Sequence, residues 1–295
     1  MKIHLQATGC RLNEAEIENW ADGFRQQNHQ IARRGDNAEL IVFNTCAVTQ
    51  QAVRTSRQAI RRLQRETPNA KVVVSGCYAS LQPEDAAELG VDLIVHNQDK
   101  DRLVEIANRE LDLPTMPEAA TLPAEASLFS RGRQRAFIKI QDGCRYRCTF
   151  CIVTVARGDE RSREVKTIVE EITRLVENGV REAVLTGVHV GGYGSDIDSS
   201  LFELISTILR DTDLPRLRLA SVEPWDLPDH FFSLFENPRL MPHMHLPLQS
   251  GTDSVLRRMS RRCKTADFRQ LVEEARKDIV DFNVTTDIIV GFPGE

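Results

Sequence analysis

The chain has 295 residues, enough for one large or two ordinary domains. It is 41% hydrophobic and 27% charged, the proportions of a globular protein rather than a disordered, collagenous or disulfide-stapled one. No run of about 18 apolar residues occurs, so no membrane span is expected. The opening MKIHLQATGC reads as a strand rather than a signal peptide, which makes the cytoplasm the expected compartment. A net charge of −5 is not that of a generally basic nucleic-acid binder, so any RNA contact must come from a local patch.

The first hundred residues alternate apolar runs with amphipathic stretches. Strands are expected at Lys2–Gln6, Leu40–Asn44, Lys71–Ser75 and Asp92–Val95. Helices are expected at about Leu12–Gln27 and Thr49–Glu66, from near Pro83, and after Val95. This order implies a parallel sheet with helices on its faces. Residues 111–133, with Pro114, Pro117 and Pro123, show no period and read as a linker. A second series follows, with strands at Phe137–Gln141, Ala183–Gly187, Arg216–Ala220, His243–Leu248 and Val284–Phe292. Helices near Thr167–Asn178, Leu201–Arg210 and Thr265–Asp278 separate several of them. The fold class expected is therefore α/β: an open parallel sheet over residues 1–110, a linker over 111–133, and a complete or partial β/α barrel over 134–295. The last residues, GFPGE, follow a strand with no helix to cover it, so a truncated barrel is expected.

Seven cysteines, an odd number in a reducing compartment, point to metal or redox work rather than a disulfide framework. Three lie in GCRYRCTFC, at Cys144, Cys148 and Cys151. A disulfide would leave one over, and zinc usually takes four ligands in two separated pairs. Three thiolates from one loop suit three corners of a cubane iron–sulfur cluster, with the fourth iron open. Cys10, Cys46 and Cys77 each sit just past an N-terminal strand. The carboxyl ends of parallel strands form the ligand crevice of such sheets, so these three can meet as a second metal site. The plainer reading is that each is a small buried hydrophobe.

These residues carry a resemblance. C-x3-C-x2-C with Phe150 before the last Cys resembles the signature of the radical S-adenosylmethionine (SAM) superfamily. TGCRLNEAE, FNTCAVT and VSGCYASLQPE resemble the N-terminal cysteine motifs of its methylthiotransferases. CIVTVARGDERSRE, LPLQSGTDSVLRRMSR and TTDIIVGFPGE resemble later segments of that family. LTGVHVGGYGSD is similar to the branch that modifies N6-threonylcarbamoyladenosine at position 37 of tRNA. Thr154 and Val155, where the family often has Pro and Tyr, and Cys263, where an aromatic is common, depart from the pattern.

The resemblance implies a transferase with two [4Fe–4S] clusters. Cys144, Cys148 and Cys151 would hold the cluster that cleaves SAM, and Cys10, Cys46 and Cys77 an auxiliary cluster that supplies sulfur. The product would be a methylthio group on C2 of the adenine, and a second SAM would give the methyl. The expected partners are the anticodon loop of tRNA and an electron donor such as flavodoxin or ferredoxin. Alternatives are isopentenyladenosine-37 of tRNA or a ribosomal-protein aspartate as substrate, or a non-catalytic iron–sulfur or zinc-binding protein.

Candidate SAM contacts lie at strand ends: Thr186, Gly187, Glu223 and Gln249. Glu223, just before Pro224, could equally do no more than end a strand. Arg54, Arg57, Arg61 and Arg65 form one stripe of the second helix, opposite Val53, Ala59, Ile60 and Leu63. That stripe is either a phosphate contact or a solvated face. Arg131, Arg133 and Arg135 form a weaker basic patch. No histidine pair has ligand spacing; His243 and His245 share a strand face, and His189 receives no role. Cys263, flanked by Arg262 and Lys264, reads as an ordinary thiol whose basic neighbours could lower its pKa.

Overall fold

In the computed structural model, residues 1–32, 37–113, 134–228 and 230–295 are described. The chain divides into two compact units: Met1–Arg131 together with Val155–Gly158, and Gly132–Thr154 together with Asp159–Glu295.

The N-terminal unit is built on a five-stranded parallel sheet. Its elements are β1 (Lys2–Ala7), α1 (Arg11–Gln26), β2 (Gln30–Ile31), β3 (Leu40–Thr45), α2 (Gln50–Glu66), β4 (Lys71–Gly76), α3 (Cys77–Leu81), α4 (Pro83–Ala87), β5 (Leu93–Val95) and α5 (Leu103–Leu111). The strand order is β2-β1-β3-β4-β5. All six residues of the central β3 are buried, as expected for a strand covered on both faces. Its side chains alternate: Leu40 and Val42 pack with Trp20, Phe24 and Leu103 on one face, Ile41 and Phe43 with Ile60, Leu63 and Tyr78 on the other. Thr49 caps α2, its hydroxyl accepting from the Ala52 N–H at 3.0 Å.

The second unit carries β6 (Arg135–Lys139), β7 (Gln141–Asp142), α6 (Val153–Arg157, whose last three residues group with the first unit), β8 (Arg161–Ser162), α7 (Val165–Glu177), β9 (Glu182–Thr186), α8 (Leu201–Asp211), β10 (Arg216–Leu219), β11 (His243–His245), α9 (Asp253–Arg258), α10 (Thr265–Asp278) and β12 (Asn283–Thr285). Parallel pairing runs β6-β9-β10, isolated parallel bridges Leu217–Leu240 and Ser221–His245 lead on to β11, and β11 pairs with β12. This is an arc of parallel strands of the β/α-barrel kind.

Three local expectations need correction. The strand from Phe137 stops at Lys139, and Gln141–Asp142 turns away to pair antiparallel with Arg161–Ser162. The strand expected over Val284–Phe292 is regular only to Thr285, and beyond it a single bridge joins Gln249 to Ile288. The strand expected over His243–Leu248 ends at His245; the helix expected from near Pro83 is present as α4, preceded by α3 from Cys77. Residues 114–133, which hold most of the linker with Arg131 and Arg133, lie outside the described residues. No helix among the described residues is long and apolar enough to cross a membrane.

Candidate functional site

In the N-terminal unit Cys10, Cys46 and Cys77 follow β1, β3 and β4, at the carboxyl ends of adjacent strands. None is in a disulfide. Burial pushes the Cys46 thiol up, and the neighbouring Cys10 and Cys77 push it further, while Arg157 draws it down. Cys46 is thus within electrostatic reach of both partners. The backbone allows this convergence because Gly9 and Gly76 take φ of +98° and +96°. A Cβ on Gly9 would lie 2.6 Å from the Cys46 sulfur, and one on Gly76 2.3 Å from the Thr45 carbonyl oxygen. Only glycine fits there. Cys10 occupies the N-cap position of α1, with no capping hydrogen bond from its side chain.

In the second unit Cys144, Cys148 and Cys151 lie on the loop after β7 and are all free. The loop is tied down by Thr149, whose N–H donates to the Met259 carbonyl at 3.1 Å and whose hydroxyl donates to the Arg258 carbonyl at 3.0 Å. The Cys151 N–H donates to the Cys148 carbonyl at 2.9 Å. Burial drives the Cys144 thiol up to about 12, with Glu223, Glu160 and Cys151 adding to it. Burial also raises Cys151, with Cys148 beside it. The Arg261 guanidinium reaches the Cys148 sulfur at 3.9 Å and stacks on Trp225 at 4.3 Å.

His189 sits beside this loop, fully buried. Its Nε2 meets Asp226 Oδ2 at 2.6 Å, and its Nδ1 meets Glu160. Burial opposes a charge on the ring, but Asp226, Glu223 and Glu160 outweigh it and raise its pKa. The ligand-type atoms of Cys144, Glu160 and His189 lie within 4.8 Å of one another, as do those of His189, Glu223 and Asp226. Both ring nitrogens of His189 already have carboxylate partners, so it serves as a clamp between acids. Tyr146 packs edge-on against the ring at 4.6 Å and donates its hydroxyl to Asp226 at 2.8 Å.

Gln141 was not anticipated from sequence. Its amide N–H groups donate to the Asp142 and Gly143 carbonyls at 2.9 and 2.7 Å, and its Oε1 accepts from Val188 and His189 N–H at 3.0 and 2.9 Å. It pins the entry to the cysteine loop to the segment bearing His189. Thr186 is buried at the end of β9. A Cβ on Gly187 would meet Gln141 Oε1 at 3.0 Å. Glu223 is mostly buried, and its Oε2 has no hydrogen-bond partner. Burial raises its pKa to about 7. Gln249 holds a left-handed φ of +76°, a conformation that is costly for a residue with a Cβ.

Residues 138–295 match the Radical SAM superfamily, and residues 2–96 match a family described as Uncharacterized protein family UPF0004. A Thermotoga maritima protein named threonylcarbamoyladenosine tRNA methylthiotransferase MtaB is 36% identical over 99% of this chain and 68% of its own length. The chain belongs to the radical SAM methylthiotransferase family. Like its relatives, this methylthiotransferase is a transferase that uses SAM and a [4Fe–4S] cluster. A Bacillus subtilis MtaB is 33% identical over 99% of the chain and 67% of its own length. A Cereibacter sphaeroides tRNA-2-methylthio-N(6)-dimethylallyladenosine synthase is also 33% identical, over the whole chain and 70% of its own length. In fold, the methylthiotransferase resembles the radical SAM methyltransferase TsrM of Kitasatospora setae. The TM-score is 0.73 over the whole chain and 68% of that protein, at 18% identity.

The residues fit the groups that the family uses. Free thiols gathered on one loop are the donor set of a cluster with one open iron. The buried Glu223 Oε2, which accepts no hydrogen bond and lies 3.9 Å from His189 Nε2, is a group that a polar ligand would satisfy.

Elsewhere, Arg54, Arg61 and Arg65 of α2 are exposed, Arg57 is half-buried, and Ala59, Ile60 and Leu63 face the sheet. Arg135 pairs with Glu182 at 2.6 Å. His243 and His245 both meet the Thr285 hydroxyl, at 3.1 and 2.9 Å, a satisfied polar role. Cys263 is buried, and burial raises its thiol to about 11. Its basic neighbours do not lower it, because desolvation dominates.

Proposed function

We propose that the chain installs a methylthio group on C2 of N6-threonylcarbamoyladenosine at position 37 of tRNA. The observation that carries this reading is that each α/β unit carries its own three free cysteines, at strand ends in the first and on one loop in the second. The functional division follows as residues 1–110 for the auxiliary centre and 134–295 for the SAM centre, joined by 111–133. Cys144, Cys148 and Cys151 hold the [4Fe–4S] cluster that cleaves SAM; Cys10, Cys46 and Cys77 hold a second one. Bound together, these groups supply a carbon-centred radical and a sulfur source, which an unactivated aromatic C–H requires.

The protein's own residues do the placing. Gln141 and Thr149 fix the cysteine loop, and His189 holds Glu160 and Asp226 in register. Glu223 accepts hydrogen bonds from SAM, with Thr186, Gly187 and Gln249 lining the same strand ends. The arginines of α2 attract tRNA phosphates. Reducing electrons come from a carrier such as flavodoxin or ferredoxin in the cytoplasm.

The choice of threonylcarbamoyladenosine follows the names of the relatives at up to 36% identity. Dimethylallyladenosine is the second reading, favoured by relatives of that name at 33%. Mass spectrometry of tRNA nucleosides from a strain lacking the gene separates the two, since only one methylthiolated nucleoside should disappear. Anaerobic reconstitution tests the two-cluster basis: about eight irons per chain should fall to about four when Cys144, Cys148 and Cys151 become Ala. A fall from about four to none would refute it.

A further inference from the structure

Three charged side chains of the N-terminal unit lie almost wholly out of water. Lys100, Glu16 and Arg157 have side-chain exposures of 0, 2 and 2%. Glu16 Oε1 accepts from Lys100 Nζ at 2.5 Å and from Arg157 Nη1 at 3.0 Å, and its Oε2 accepts from the Asn44 amide at 2.8 Å. Arg157 Nη2 donates to Asn13 Oδ1 at 2.8 Å. The Asn13 amide in turn donates to the Thr8 carbonyl at 2.7 Å and the Thr45 carbonyl at 3.1 Å.

This network reaches all three cysteines. The Cys10 sulfur is 3.7 Å from Asn13 Oδ1. Thr45, which Asn13 grips, directly precedes Cys46. The Asn97 amide donates to the Ala156 carbonyl at 2.7 Å, lies 3.9 Å from the Cys77 sulfur, and its Oδ1 accepts from Lys100 Nζ at 3.5 Å. Arg157 lies within electrostatic reach of Cys46.

Stability does not account for this arrangement. Taking an Arg–Glu–Lys group out of water is costly, and a packed hydrophobic substitute is often as stable or more so. Proximity to three thiols does account for it. Charge and hydrogen bonds around an iron–sulfur centre tune its potential. Arg157 also comes from the segment after the other cysteine triad, not from the strands that carry Cys10, Cys46 and Cys77.

We propose that Arg157 is a positioning residue of the Cys10–Cys46–Cys77 site. It holds Asn13 against the Thr8 and Thr45 carbonyls, so setting the two loops that carry Cys10 and Cys46, and it places a fixed positive charge beside the thiols. The assignment rests on the reading of that triad as a cluster site.

The test uses the full chain with Cys144, Cys148 and Cys151 replaced by Ala, so that all remaining iron reports on the other triad. Within it, Arg157, Arg157→Lys and Arg157→Met are reconstituted anaerobically. Iron per chain, the rate of iron loss to a chelator, the midpoint potential and the melting temperature of the iron-free chain are measured. Arg157→Met should lose iron at least fivefold faster than the parent, and its remaining cluster should titrate at a more negative potential. Arg157→Lys keeps the charge but not the fork to Asn13. It should hold the parent's potential while losing iron two- to threefold faster.

A Met variant with the parent's iron lability and potential overturns the assignment and leaves the cluster reading intact. So do Lys and Met variants that lose iron equally, at an unchanged potential, in step with a lowered melting temperature. If the Met variant does not fold, the Lys variant decides: iron held as tightly as in the parent overturns the assignment. A parent background with no iron overturns the cluster reading itself, and the assignment with it.

Discussion

Glu223 is a carboxyl held where ionisation is costly. Burial raises its pKa to about 7, and its Oε2 has no hydrogen-bond partner. A donor from SAM would stabilise the ionised form, so binding requires the proton to leave. SAM affinity should therefore rise as pH is raised from 6 to 8, by up to about tenfold per unit below the pKa. Glu223→Gln should remove that dependence and weaken binding about 10-fold or more. Calorimetric titration across pH checks both, and a parent profile as flat as the variant's would remove Glu223 from the SAM site.

Glu182 shows the opposite balance. Burial would raise its pKa, but Arg216, Arg135 and Arg218 outweigh burial and hold it below the ordinary carboxylate range. Such a group adds stability above its unfolded pKa, and the contribution is lost as pH falls through its folded value. Glu182→Gln should cost about 1–3 kcal/mol at pH 7 and progressively less toward pH 3, measured by urea unfolding. The six cysteines could be singled out from sequence because spacing and strand-end position are local properties. The roles of Gln141, His189 and Arg157 could not, since each depends on partners distant in sequence, Glu16 lying 141 residues from Arg157.

The strand-to-helix turns around the N-terminal cysteines are as constrained as the thiols. At Gly76 both the positive φ and the Thr45 carbonyl, 2.3 Å from where a Cβ would stand, forbid a side chain. Gly76→Ala should destabilise the chain by about 2–4 kcal/mol and scatter Cys77 from its partners. Thermal unfolding and iron uptake should fall together, and an unaffected iron content would show that the turn can relax. The helices Arg11–Gln26, Gln50–Glu66 and Thr265–Asp278 were legible because each is long and periodic. The end of the second series was not. TTDIIVGF has the β-branched content of a strand, but regular pairing stops at Thr285, and propensity yields to the partner available. The short helix at Cys77 was hidden for a different reason, since five residues give no period to read.

Over the whole molecule the net charge of −5 works against tRNA, so the proposed role of the α2 stripe is a local one. Reversing Arg54, Arg61 and Arg65 to Glu should weaken tRNA binding more than tenfold at low salt. It should also flatten the dependence of log affinity on log salt by about two units. Filter binding across salt concentrations checks this, and unchanged affinity would leave α2 as a solvated face.

The placement of Arg157 has a consequence during synthesis. Among the described residues, the last strand of the N-terminal sheet ends at Val95 and the last helix lying wholly in that unit at Leu111. The partner that fills the space between Glu16 and Asn13 is made only at residue 157. At about 5–20 residues per second, a nascent chain spends seconds with the strands of this sheet made and Arg157 still to come. Until then Glu16 and Asn13, next to Cys10 in the fold, wait for the guanidinium that joins them.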